Sequence, residues 1–64
     1  MYRIENGTPL SFVDLGIYID KAIDIAKNKN IGDAFDFKFN AYLKDYRCYC
    51  LVNKASLTIK FIEF

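Results

Sequence analysis

The stretch Ala34–Leu43, "AFDFKFNAYL", sets Phe35, Phe37 and Phe39 on alternate positions, with Asp36, Lys38 and Asn40 between them. A period of two is the mark of a β-strand with one face buried. The three rings are either part of a core or a binding surface. The answer depends on what the rest of the chain can pack against them.

The chain offers one helix. Between Asp14 and about Asn28, the residues Leu15, Tyr18, Ile19, Ala22, Ile23 and Ala26 recur at three- and four-residue spacing. Asp20, Lys21, Asp24 and Lys27 fall opposite, Ile25 flanks the stripe, and Ile17 lies on the polar face as an exception. Ser11 and Asp14 have the spacing of a capping box. "KNKNIG", residues 27–32, closes the helix, because cations suit its C-terminus and Asn30 or Gly32 accepts a left-handed backbone. A lone amphipathic helix has to bury its stripe on a sheet face. The three Phe are therefore assigned to the core.

Two more strands follow, "YRCYCLVN" at 46–53 and "LTIKFIEF" at 57–64. "KD" at 44–45 and "NKAS" at 53–56 read as turns, and short connections imply antiparallel neighbours. Ahead of the helix, "YRIE" at 2–5 reads as a strand and Asn6-Gly7 as a hairpin turn. "TPLSF" would then return at a sheet edge, where Pro9 needs no ladder donor. The competing reading starts the helix at Thr8, with Pro9 at its first position. The expected fold is α+β: one amphipathic helix packed on one face of a three- to five-stranded antiparallel sheet, ordered ββαβββ or βαβββ. Residues 1–64 form a single small domain.

The expected inward set is Tyr2 and Ile4, the three Phe, Tyr46, Cys48, Cys50 and Val52, then Leu57, Ile59 and Phe61. The opposite sheet face carries Arg3, Glu5, Asp36, Lys38, Asn40 and Arg47. It also carries Thr58 and Lys60, with an apolar cluster of Tyr49, Leu51, Ile62 and Phe64. A solvated half-sheet is common. Aromatics and Arg together are also the signature of a contact surface. The partner-binding candidates are Lys38, Arg47, Tyr49 and Leu51, with Lys60, Ile62 and Phe64.

Composition narrows the chemistry. A 64-residue chain buries only roughly 60% of the surface its unfolded form exposes, so it is marginal alone. Its 53% hydrophobic content, with six Phe and five Tyr, compensates. A net charge of +1 lacks the basic footprint of a nucleic-acid binder. No apolar run is long enough to span a membrane, and "MYRIENG" is no signal peptide, so a soluble cytoplasmic protein is expected. The chain reads as one complete small product without linker or repeat.

With no His and two Cys, catalytic and metal sites are hard to build. Ser11 and Ser56 have no base to activate them. Asp20 and Asp24 share a helix face flanked by Lys21 and Lys27, which reads as solvated surface. Cys48 and Cys50 point the same way along one strand, roughly 6.5 Å apart. They suit small buried side chains better than a bridge. No cofactor or metal is expected.

The reading that remains is a small non-catalytic protein-binding module acting through an open sheet face or a sheet edge, with a homodimer as a further expectation. If "LTIKFIEF" lies at an edge, it offers the pairing strand. The alternative is a single-stranded nucleic-acid-binding protein using the same face, with bases stacked on Tyr49 among Lys38, Arg47 and Lys60. Ile, Asn, Lys, Phe and Tyr make up almost half the chain, a usage that follows AT-rich codons. That points to a low-GC bacterium or its phage, and to a phage or mobile-element inhibitor of a host system.

Overall fold

The computed structural model describes all 64 residues, Met1 to Phe64. The order is βαβββ: β1 Tyr2–Gly7, α1 Phe12–Ala26, β2 Ala34–Ala41, β3 Lys44–Val52 and β4 Leu57–Glu63. The strands form one sheet in the order β1-β4-β3-β2. β2, β3 and β4 pair antiparallel, whereas β1 pairs parallel to β4, from Tyr2↔Leu57 to Gly7↔Ile62. The fold is α+β, and the sheet is mixed rather than purely antiparallel. The rule of short connections fails at β1 because β1 joins the last strand, with nearly the whole chain between them as the crossover.

The expected hairpin at Asn6-Gly7 does not form, and residues 8–12 are not a strand. Neither Asn6 nor Gly7 has a positive φ. The Asn6 Oδ1 accepts from the Thr8 N–H at 3.0 Å and the Thr8 hydroxyl at 2.6 Å, and Asn6 Nδ2 donates to the Leu10 carbonyl at 2.7 Å. This side-chain-closed turn redirects the chain at once into the helix. Gly7 serves the strand pairing instead: a Cβ there would stand 2.9 Å from the Phe61 carbonyl oxygen.

Ser11 caps α1. Its side chain accepts from the Asp14 N–H while Asp14 accepts from the Ser11 N–H, the capping box expected from the spacing. The helix therefore begins at Phe12 and ends at Ala26, two residues earlier at each end than the apolar period suggests. Leu10 and Leu15 occupy the two positions of a hydrophobic staple, and both are buried. Gly32 takes φ +91°, and its N–H donates to the Val52 carbonyl at 2.8 Å, tying the loop after α1 to the end of β3.

The core gathers Leu10, Leu15 and Ala22 with Phe39, Tyr46, Cys48, Cys50, Leu57, Ile59 and Phe61. α1 lies against β3 and β4. Phe39 is the hub, with its ring stacked on Tyr18 at 3.8 Å, stacked near Tyr46 at 5.6 Å and edge-on to Phe61 at 6.0 Å. Phe35 and Phe37 point to the same side but are half-buried, under Lys29 and Lys21 respectively. Tyr2, expected inward, is exposed at the start of the edge strand β1.

The turn of the β2–β3 hairpin is Tyr42-Leu43, not Lys44-Asp45. Pairing Phe39 with Tyr46 fixes the register, so Lys44 and Asp45 oppose Ala41 and Asn40 inside the hairpin. Tyr42 and Leu43 both take positive φ, 51° and 64°, the type I′ pattern that Asn-Gly normally fills. β4, considered above as an edge, lies between β1 and β3; the free edges are β1 and β2. No helix is long and apolar enough to cross a membrane.

Replacing Phe39 by Ala removes the ring contacts to Tyr18, Phe37, Tyr46 and Phe61 from a small core and is expected to cost about 3–5 kcal/mol. That is much of the total stability of a domain this size. Phe64→Ala, at an exposed ring, should cost no more than about 1–2 kcal/mol. Urea unfolding of the two variants checks both; similar losses would mean that Phe39 is not the hub.

Candidate functional site

The face of the sheet away from Phe39 is built in rows by the strand register. Asp36, Tyr49, Lys60 and Glu5 oppose one another across β2, β3, β4 and β1, as do Lys38, Arg47, Ile62 and Gly7. Phe64 follows at the end of β4, where its N–H donates to the Asp45 carbonyl at 3.0 Å.

Arg47 is the centre of this face. Its Nη1 lies 3.2 Å from Asp36 Oδ2, its guanidinium stands 4.7 Å above the Phe64 ring, and Tyr49 lies beside it at 5.6 Å. Lys38 Nζ stands 4.6 Å from the same Phe64 ring. One aromatic ring thus carries two cations, each such contact contributing about 0.5–1 kcal/mol at an exposed site. The Arg47–Asp36 pair is solvated on the Asp36 side and contributes more to orientation than to stability.

Beside this group, Glu5, Asp36, Tyr49, Leu51, Thr58 and Lys60 line a shallow depression of about 410 Å³. Of the seven candidates, the structure joins Lys38, Arg47, Tyr49 and Phe64 directly, and sets Leu51 and Lys60 with Tyr49 around the depression. Ile62, half-buried opposite Arg47, lines a second shallow depression of about 340 Å³ together with Arg47, Tyr49 and Phe64. Arg47 stands against both the Tyr49 and the Phe64 rings, so a cation joins the apolar side chains of this face. Asp36 and Glu5 were not among the candidates, although both line the depression. Only the register, which sets them beside Tyr49 and Lys60, reveals that.

Cys48 and Cys50 are free and buried, with their Sγ atoms 3.7 Å apart. No group of three His, Cys, Asp or Glu side chains is placed to hold a metal ion. The hydrogen bond to Cys50, and then burial, push the Cys48 thiol well above its usual range. Ser11 is the helix cap, and Asp20 and Asp24 are exposed.

A second exposed feature lies at the hairpin tip. The Tyr42 hydroxyl donates to Asp14 Oδ1 at 2.8 Å, joining the turn to the helix cap. That bond, then those from Ser11, hold the Asp14 carboxyl below its ordinary value, and the same bond raises Tyr42. A lowered carboxyl stabilises the fold above its unfolded pKa and loses that effect as pH falls through its folded value. A raised phenol does so below its unfolded pKa and loses it as pH rises.

Tyr42→Phe is therefore expected to raise the Asp14 pKa, read by carboxyl NMR titration; an unchanged value would mean that the bond is not made in solution. The two thiols should resist a thiol reagent in the native protein and both react in denaturant, with no zinc by elemental analysis. Stoichiometric zinc, or an absence of free thiols in denaturant, would contradict this. No protein-family model, no curated protein and no solved structure matches the chain.

Proposed function

We propose that this is a non-catalytic protein-binding module that takes its partner on the open sheet face. The observation that carries the reading is the group of Lys38, Arg47, Tyr49 and Phe64, ordered by mutual contact yet left open to solvent. Tyr and Arg are the residues that dominate binding energy at interfaces. Side chains already held in place lose less freedom when a partner docks. With α1 on the other side of the sheet, no other helix or strand covers Tyr49, Leu51 or Phe64, and all three stay exposed.

The charges favour a protein over a nucleic acid. Asp36 pairs with Arg47, and Glu5 opposes Lys60 at the depression, which offsets two of the cations that phosphates would need. A net charge of +1 releases few counterions, so oligonucleotide binding is expected to be weak and shallow in salt. The inventory without His supports a non-enzymatic role. The AT-rich residue usage fits a phage or mobile-element inhibitor of a host protein.

The test is a double change, Tyr49→Glu with Phe64→Glu, in tagged protein used to capture targets from the native host. The fold should survive, because both side chains face away from the core. The expected result is a host protein captured by the wild type, lost by the variant, and then bound directly when purified. Unchanged capture by a folded variant would refute the open-face reading. Tight, steeply salt-dependent oligonucleotide binding that is lost in the same variant would replace it with the nucleic-acid reading.

A further inference from the structure

The geometry points to the outer edge of β2 as the docking site for a second copy of this chain. The two β2 strands would run antiparallel, with Phe37 of each copy on the two-fold axis.

β2 is an edge strand of eight residues. It pairs with β3 step by step from Ala34↔Leu51 to Ala41↔Lys44, without a bulge. It contains no Pro and no Gly, and α1 lies over β3 and β4, reaching β2 through Tyr18 on Phe39 and Lys21 over Phe37. An edge of this kind is a template for pairing unless charges guard it. Lys38 would be such a guard alone, but Asp36 stands two residues before it on the same face.

The register follows from symmetry. Opposed residues in an antiparallel pair point to one face, so a two-fold pair must centre on a residue. Centred on Asp36 or Lys38, the strand sets a like charge against its own copy. Centred on Phe35, it overlaps less and leaves Lys38 unmatched. Centred on Phe37, it sets Asp36 against Lys38 of the second copy, twice. The same register sets Phe37 against Phe37 and Phe35 against Phe39 on the core face. Phe35 and Phe37 are only half-buried in the single chain, beneath Lys29 and Lys21, so the second copy would cover the apolar surface that these lysines leave open. The sheet becomes eight strands wide with both helices on one side, and a domain marginal by size gains a second core edge. β1 carries a similar arrangement, Arg3 and Glu5 about Ile4, but it is six residues long and would match only Ile4 with an apolar partner.

The experiment is a charge exchange read by sedimentation, which reports mass and is independent of any target on the open face. Wild type is expected at twice the 7.5 kDa chain mass. Asp36→Lys alone sets Lys against Lys, and Lys38→Asp alone sets Asp against Asp. Each should sediment as a monomer with an unchanged circular dichroism spectrum. Their equimolar mixture opposes unlike charges at every position and should restore the dimer, as should both changes in one chain. For a reading without substitution, NMR of mixed labelled and unlabelled wild type should show contacts between Asp36 of one copy and Lys38 of the other. A wild type that stays monomeric at millimolar concentration overturns the proposal. So do single variants that keep the wild-type mass, which would place the copy at β1 or on the open face, or the absence of those NMR contacts.

Discussion

Phe39 holds this fold together. Its ring meets Tyr18 from α1, Tyr46 from β3 and Phe61 from β4, so one side chain on an edge strand touches every element but β1. The stack on Tyr18 sets where the helix lies, and the pairing with Tyr46 sets the register of the hairpin. That register leaves only Tyr42 and Leu43 for the turn, which accounts for two non-glycine residues at positive φ. Backbone strain of about 1–2 kcal/mol per residue is tolerated there because the aromatic contacts outweigh it.

The same register arranges the opposite face. Once Phe39 opposes Tyr46, Lys38 must oppose Arg47 and Asp36 must oppose Tyr49. β4 then brings Phe64 under the two cations. The candidate binding group is in this sense the reverse side of the core. A change in core register would invert both faces, so the two cannot vary independently.

The alternation of Phe35, Phe37 and Phe39, the helical stripe and the Ser11–Asp14 box were legible because each is a short-range pattern with one physical cause. The inward and outward sets of β3 and β4 followed from period two alone. Three features were not legible. Asn6-Gly7 has the composition of a hairpin turn, but the Asn6 side chain uses its hydrogen bonds to close a different turn. The Tyr42-Leu43 turn carries no turn residues, since tertiary packing imposes it. The parallel pairing of β1 with β4 depends on contacts between the ends of the chain, which no local window contains. Within the candidate site, the residue types and their face were readable, but their grouping around Phe64 needed the strand order.

The pairing of the first strand with the last also governs how the chain reaches this state. The β2–β3–β4 meander joins by short loops, and its contacts are local enough to form early. β1 has its partner only after β4 exists, so its loop closure spans almost the full chain. During synthesis β4 emerges only after β1, α1, β2 and β3. Until β1 docks, β4 presents an open edge flanked by Ile59 and Phe61. Folding is thus a race between closure by β1 and capture of that edge by another strand. Gly7, which allows the backbones to approach, favours closure.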